Sequence, residues 1–304
     1  MELFNPKSNV DFMGARKWTA LLSGVIFIGS IVALCLNGLN WGLDFTGGMQ
    51  IEVTYPQAAN VDAIRDQLSE IGFKEAQVVQ YGSSNDILIS IAPKEGLDQA
   101  AIVEPIMRAL PGATKQRVDF VGPQVGAELA TKGALAILVS LIATMIYIAL
   151  RFEYRLAFSS AVALIHDPVL ILGLFALFHI EFDLKALAGL LAVIGYSLND
   201  TIVVFDRVRE NFIKLRRLTP VEIMNTSINQ TLSRTIMTSL LTLCVVVALF
   251  VYGGETIHGF SLALMIGIIV GTYSSIYVAG ALAVTMGLDK KDFIPSSRRL
   301  DDTP

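Results

Sequence analysis

An acidic side chain stands inside an apolar stretch of the chain. Asp200 lies in residues 184–205, whose sequence is LKALAGLLAVIGYSLNDTIVVF. A charged side chain at the centre of a bilayer costs at least about 2.5 kcal/mol on insertion scales. Such residues therefore usually face a protein interior and serve ion or proton movement. We predict a proton- or ion-binding site at Asp200.

Arg234 is the predicted counter-charge of Asp200. It precedes the fifth apolar segment, and Thr238 continues its helical face four residues later. Burial disfavours an ionised carboxylate, whereas a nearby guanidinium favours it, so a site balanced between the two can load and release a proton. The alternative is that Arg234 extends to the lipid headgroups, because it lies close to the end of its span.

Small and polar residues accompany Asp200 at helical spacing. Gly189, Ala192, Tyr196 and Asn199 are predicted to share its face, which would turn the acid away from lipid.

A second intramembrane pair, His166 and Asp167, lies in the third apolar segment just before Pro168. The pair either relays protons or has a structural role, with Asp167 satisfying backbone groups that the proline frees. Both interpretations stay open. In the sixth segment Gly267, Gly271, Ser274 and Ser275 predict a close helix contact.

The composition is that of a membrane protein. Hydrophobic residues make up 53% of the chain and charged residues 16%, against roughly 25% charged in soluble domains. Six apolar segments are long enough to cross a bilayer at about 20 residues each. They are residues 18–36, 133–150, 156–178, 184–205, 235–252 and 260–286.

The first is predicted to be an uncleaved anchor, since its apolar core is longer than that of a usual signal peptide and no cleavage site follows. Cys35 and Cys244 lie in apolar segments and are predicted to be core residues, with no disulfide and no metal site.

Lysine and arginine residues set the predicted orientation. They cluster in the N-terminal segment 1–17, after spans two and four, and in the tail 287–304. The short loops 179–183 and 253–259 contain neither residue type. All the basic clusters fall on one side of a six-span path, so both termini are predicted to be cytoplasmic. The connection 206–233 is predicted to be a basic, helical segment at the membrane surface, with a helix start at Thr219-Pro220.

The polar region 37–131 is predicted to be an α+β domain on the opposite side of the membrane. Alternation predicts strands at 49–55, 76–80, 87–91 and 117–121, and helical spacing predicts helices at 61–71 and 99–110. The order β-α-β-β-α-β is typical of a ferredoxin-like unit. Its sequence has no His/Cys cluster, nucleophile elbow or phosphate loop, which favours a binding or docking role without catalysis.

Four motifs resemble those of the SecF family of protein-export membrane subunits. The longest is GYSLNDTIVVFDR at residues 195–207, the signature of the fourth helix. The others are DFMGARK at 11–17, GLDFTGG at 42–48 and TLSRT at 231–235. The resemblance covers nearly the whole chain.

The resemblance implies a fold, a function and partners. It implies six transmembrane helices like one half of an RND-type exporter, with a ferredoxin-like periplasmic domain, in the bacterial inner membrane. With SecD, such a subunit uses the proton motive force in late protein export, together with the SecYEG channel, YajC and, indirectly, SecA. The implied substrate is an unfolded secretory protein. Asp200 and Arg234 match the family positions linked to proton flow. No catalysis, cofactor or nucleic acid is implied.

Two other functions stay open from the residues alone. One is a proton-coupled exporter of small molecules or lipids, for which the domain at 37–131 is small. The other is a scaffold of the channel complex, in which Asp200 and Arg234 would be dispensable.

Overall fold

The computed structural model describes residues 10–92 and 99–293. The start of the predicted N-terminal segment, with Lys7, and the end of the predicted tail, with Arg298 and Arg299, lie outside these residues. In chain order, the helices and strands are α1 (Arg16–Asn37), β1 (Asn40–Trp41), α2 (Leu43–Thr46), β2 (Gly48–Thr54), α3 (Val61–Glu70), β3 (Gln77–Tyr81), β4 (Ser83–Ile91), α4 (Gln99–Ala109), β5 (Thr114–Val121), α5 (Pro123–Arg151), α6 (Tyr154–Leu177), β6 (Glu181–Phe182), α7 (Leu184–Lys214), α8 (Pro220–Tyr252), α9 (His258–Ser274), a π-helical turn (Ser275–Ala279) and α10 (Gly280–Thr285).

Six helical stretches among the described residues are long and apolar enough to span a membrane, so the chain is a polytopic helical membrane protein. They are α1, α5, α6, α7, α8 and the continuous stretch from α9 through α10. Buried residues make up 61%, 50% and 44% of the apolar windows of α6, α7 and α9, but only 11% to 17% in α1, α5 and α8. The core of the bundle therefore consists of α6, α7 and α9, with the other three spans around it.

Glycines permit the closest helix contacts in this core. A Cβ atom on Gly267 of α9 would lie 2.0 Å from Val193 of α7, and one on Gly271 would lie 2.9 Å from the Cβ of Ser197. These contacts agree with the stripe of small residues predicted for the sixth span. The two helices approach because neither glycine has a side chain at the contact.

The connection predicted at 206–233 is largely helical, as predicted, but it does not form a separate helix. Its first part continues α7 to Lys214, and its second part belongs to α8, which begins at Pro220. The predicted helix start is confirmed, because Thr219 and Glu222 form a reciprocal capping box. Arg234 therefore lies inside one long helix, which extends from this connection through the span.

The chain before α1 is attached to the early part of α8 by two asparagines. Asn229 pairs with the backbone of Val10, donating to its carbonyl and accepting from its N–H, both at 2.9 Å. Asn225 accepts from the N–H of Met13 at 3.0 Å and donates to Asp11 at 2.6 Å. Met13 is fully buried in the helical core, so the segment is fixed to the same helix that carries Arg234.

The domain inserted between α1 and α5 has a four-stranded antiparallel sheet in the order β3-β4-β2-β5. Helix α3 follows β2, and α4 follows β4. Apolar residues of both helices and of β2, β3 and β4 form one core. The hairpin between β3 and β4 is tighter than the predicted turn, because Gly82 adopts a left-handed φ of 78° and lets the strands pair up to Tyr81 and Ser83.

Short elements join the inserted domain to the spans. Strand β1 pairs in parallel with β6, which lies between α6 and α7. A Cβ atom on Gly126 of α5 would lie 2.8 Å from the backbone nitrogen of Gly47, so α5 runs directly against the start of β2. The backbone at Gly47 has a φ of 67°, which only glycine adopts readily. These contacts fix the domain to the membrane helices at two places.

Candidate functional site

Asp200 lies inside the helix bundle, where α7, α8 and α9 meet. Asp200 is only 2% exposed. Ser239 of α8 donates a hydrogen bond of 3.3 Å to one carboxylate oxygen, and its hydroxyl lies 2.8 Å from that of Thr272 on α9. One acidic side chain is thereby connected to two further spans through hydroxyl groups.

Arg234 lies near Asp200 but does not form a direct ion pair with it. It is exposed on the surface of α8, close enough to attract the carboxylate electrostatically. Thr238 is also exposed, and its hydroxyl donates to the Arg234 carbonyl at 3.0 Å. Ser239 therefore lies on the face of α8 that contacts Asp200, whereas Arg234 and Thr238 lie beside that face.

The face predicted around Asp200 is divided between the interior and the surface. Gly189 and Asp200 are buried, whereas Ala192 and Asn199 are exposed. Tyr196 is half-buried, and its hydroxyl has no hydrogen-bond partner among the described residues. Successive helical residues are separated by about 100°, so the neighbours Asn199 and Asp200 point in different directions.

His166 and Asp167 form a second buried polar cluster, centred on α6. The imidazole Nδ1 lies 2.9 Å from one carboxylate oxygen of Asp167. The other oxygen accepts hydrogen bonds from Ser274 of α9, at 2.8 Å, and from Ser197 of α7. Asp167 is 1% exposed and His166 is 5% exposed. The cluster thus connects the three core helices.

Sequence reasoning missed Ser197 and Ser274 as hydrogen-bond donors to Asp167, and Ser239 as the donor to Asp200. Hydroxyl residues in spans are common, and each of these also lies one helical turn from a carbonyl that it can bond instead. Only the packing of the helices shows which hydroxyl reaches a carboxylate.

A cleft of about 440 Å³ separates the sheet of the inserted domain from the loops of the membrane part. Its lining includes Gln50 and Gln77 of the sheet, and Glu181 and Asp183 between α6 and α7. Burial, and secondarily the negative charge of Asp183, raise the pKa of the Glu181 carboxyl. Glu181 was not predicted as a site residue, since its burial arises from long-range packing.

The described residues contain no group of three or more His, Cys, Asp or Glu side chains placed to hold a metal ion. Cys35 and Cys244 are free thiols. Both are exposed, contrary to the prediction that they are core residues, because α1 and α8 lie at the edge of the bundle.

Two family models match the chain. The one described as "Protein export membrane protein SecD/SecF, C-terminal" matches residues 102–289, and the one described as "SecD/SecF GG Motif" matches residues 32–59. Protein translocase subunit SecF of Escherichia coli O157:H7 is 46% identical over 290 residues, which are 93% of this chain and 90% of that protein. The subunit of the same name from Vibrio alginolyticus is 47% identical over 299 residues, 97% of this chain and 95% of that protein.

A solved structure has the same fold. It is the crystal structure of SecDF, a translocon-associated membrane protein, from Thermus thermophilus. The TM-score is 0.86 at 36% sequence identity, over 93% of this chain. This chain spans 39% of the length of that SecDF chain.

Proposed function

The chain belongs to the SecD/SecF family of protein-export membrane proteins, and we propose that it is a SecF-type subunit that converts a proton gradient into work on an exported protein. The observation that carries this proposal is the Asp200 carboxylate, buried where α7, α8 and α9 meet and bonded through Ser239 towards Thr272. A buried acid joined to movable helices is a means of coupling proton binding to a change in packing.

Protonation of Asp200 removes its charge. The attraction to Arg234 then disappears, and the hydrogen bond from Ser239 loses its charged acceptor. Because Ser239 also contacts Thr272, both α8 and α9 respond to the protonation state of one residue of α7. The helices repack, and release of the proton to the other side of the membrane restores the first arrangement.

The inserted domain is placed to receive this movement. It is bounded in the chain by α1 and α5, and it touches the membrane part again where β1 pairs with β6 next to α7. A shift of α7 therefore moves β6 and, through the pairing of β6 with β1, the inserted domain. Transfer of one charge across the membrane supplies about 2.3 kcal/mol per 100 mV, so a few protons provide useful mechanical work.

A second, related half completes the membrane site. Asn199, Arg234 and Thr238 are exposed on α7 and α8, and polar side chains at membrane depth normally face protein. The SecDF chain of similar structure is more than twice as long as this one, so it has room for a second set of spans. We therefore assign SecD as the partner that covers this face, on the basis of the likeness to SecDF.

The remaining assignments rest on the family resemblance and on the arrangement of elements. The β-α-β-β-α-β order and the sheet order β3-β4-β2-β5 support a ferredoxin-like fold for the inserted domain. The domain is placed in the periplasm and the termini in the cytoplasm of a bacterial inner membrane, on the distribution of basic residues. SecYEG, YajC, an unfolded secretory protein, membrane lipids and, indirectly, SecA are the proposed partners. The energy source is the proton gradient, without a cofactor and without catalysis by this chain.

The experiment is late-stage export in membrane vesicles that contain the whole translocase, with and without a proton gradient. Asp200→Asn and Arg234→Met are expected to reduce the gradient-driven rate to the rate without a gradient. Thr242→Val, on the same helix as Arg234, is the matched control and is expected to keep the stimulation. If Asp200→Asn is assembled at the normal level and still responds fully to the gradient, the chain is a scaffold and the proposal is wrong.

A further inference from the structure

We propose that His166 is a second proton acceptor inside the membrane part, with Asp167 as its fixed counter-charge. This inference adds an acceptor to the proton-driven function proposed above, but its geometry and its test stand apart from protein export. It concerns a buried imidazole that the Asp200 site does not use.

The hydrogen bonds around Asp167 favour its ionised form. One oxygen accepts from two hydroxyl groups, Ser197 and Ser274, and the other oxygen faces the imidazole Nδ1 at 2.9 Å. Hydrogen bonds donated to a carboxylate stabilise its negative charge. An ionised Asp167 can only accept, so it requires the imidazole proton to be on Nδ1.

In that tautomer Nε2 carries a lone pair and is the nitrogen that can accept a proton. Nε2 is buried and has no hydrogen-bond partner among the described residues. Buried polar atoms without a partner are rare and require an explanation. In serine-protease triads, too, a carboxylate holds the imidazole through Nδ1–H, and Nε2 is the atom that takes up the proton.

Two contacts stabilise the imidazolium that a proton on Nε2 creates. Its positive charge is balanced by the adjacent Asp167 carboxylate, so the pair becomes neutral overall. The ring also stacks on Phe27 of α1, with 5.8 Å between the centroids and 7° between the planes. A cation within about 6 Å of an aromatic ring centre is attracted to its face. In the step itself, an O–H bond of a hydronium ion breaks, an N–H bond forms at Nε2, neutral water is left, and Asp167 keeps its charge.

The cluster is connected to the Asp200 site along two helices. Ser197 lies three residues before Asp200 on α7, and Ser274 lies two residues after Thr272 on α9. The π-helical turn begins directly after Ser274, and such turns often accompany functional sites. Protonation of His166 weakens the hydrogen bonds that Asp167 accepts from Ser197 and Ser274. The packing of α7 and α9, which carry these serines, therefore responds to the proton.

Other titratable groups lie on the elements packed against His166 and Asp167. Asp200 and Tyr196 lie on α7, and Tyr277 lies in the π-helical turn. Tyr273 of α9 donates to the Thr19 carbonyl of α1 at 2.9 Å. Among these groups Asp200 is the one carboxylic acid, so Asp200→Asn separates the two sites.

The chain contains three histidines, which makes a direct test possible. The full-length chain, with ¹⁵N-labelled histidine, is placed in lipid nanodiscs, and the ring nitrogens are followed by NMR from about pH 8 to about pH 5. His166→Gln assigns the His166 signals, and His179 and His258 serve as internal controls. We expect an Nδ1–H tautomer at high pH and a doubly protonated ring at low pH, also in Asp200→Asn.

Asp167→Asn is expected to weaken proton binding at His166 by at least about tenfold, because an adjacent opposite charge is lost. Ser274→Ala, which leaves the acid in place but removes a competing hydrogen-bond donor, is expected to have a smaller effect in the opposite direction. Phe27→Leu removes the ring that stacks on His166 and so measures how much the stacking contributes to proton binding at His166. The proposal is overturned if His166 stays neutral over the whole range in the folded wild-type chain, or if its proton at high pH is on Nε2. Loss of export in Asp200→Asn has no bearing on either result.

Discussion

Ser239 joins Asp200 to the rest of the bundle. Its hydroxyl contacts the carboxylate on α7 and Thr272 on α9, so one side chain connects three spans. The acid itself is predictable, because a carboxylate in an apolar segment is costly whatever the fold. Its hydroxyl partners are not predictable, since they depend on which helices are neighbours and on their rotation. Arg234 illustrates the same limit, because its position in the sequence does not determine whether it faces Asp200, lipid or another subunit.

At the residue scale, Glu181 provides a test of the cleft below the inserted domain. Burial, followed by the charge of Asp183, raises the pKa of Glu181, so the folded chain prefers its protonated form. The contribution of this group to stability is therefore full below the ordinary glutamate pKa and is lost as the pH rises through the raised value. We expect Glu181→Gln to increase the melting temperature of the purified chain at neutral pH and to have little effect at pH values below the ordinary glutamate pKa.

Glu75→Gln is the matched control for this titration, because Glu75 lines the same cleft but is exposed. It should leave the melting temperature of the purified chain at neutral pH unchanged. A Glu181→Gln chain that loses stability at neutral pH would show that the ionised carboxylate stabilises the cleft.

At the element scale, the spans are predictable from hydropathy, but their ends are not. Helix α5 begins at Pro123, ten residues before the predicted span, and α7 continues nine residues beyond the predicted end at 205. Hydropathy detects the part of a helix inside the bilayer, whereas backbone hydrogen bonding continues into polar sequence. The elements of the inserted domain were predicted in the right order because their alternation and turns are local signals.

The contact between α1 and α6 gives a test of packing. A Cβ atom on Gly173 of α6 would lie 2.3 Å from the Cβ of Ser30 on α1, whereas one on Gly29 of α1 would have no heavy atom within 4 Å. We expect Gly173→Ala to destabilise the bundle by about 1–3 kcal/mol through overpacking. Gly29→Ala should be neutral or slightly stabilising, since alanine is the better helix former. Unfolding of both variants in detergent measures the difference, and equal stability would contradict this contact.

At the scale of the whole molecule, the exposed polar face of α7 and α8 predicts where the second half binds. In a chain whose Cys35 and Cys244 are replaced by serine, Thr238→Cys is expected to cross-link to co-expressed SecD that carries cysteines in its spans. Ile28→Cys on α1, where Ile28 is 62% exposed, is the control for a lipid-facing position. Detection of the adduct on a denaturing gel measures the contact. Absence of any adduct through Thr238→Cys, with assembly intact, would place the partner elsewhere.

The residues of this chain alone predict its assembly with other proteins least well. Asp200 alone indicates a proton or ion site, and six spans indicate a membrane protein. The proposal that the work is done on an exported protein rests on the family to which the chain belongs.

Proton entry during export is the measurement that tests the proton-coupled function most directly. The translocase is reconstituted in liposomes that contain a pH-sensitive dye, with an export intermediate already engaged and a proton gradient imposed. The wild-type chain is expected to admit protons as export is completed, and Asp200→Asn is expected to admit none above the level of protein-free liposomes. Equal proton entry and equal completion of export in the two samples would contradict the assignment of Asp200 as the coupling residue.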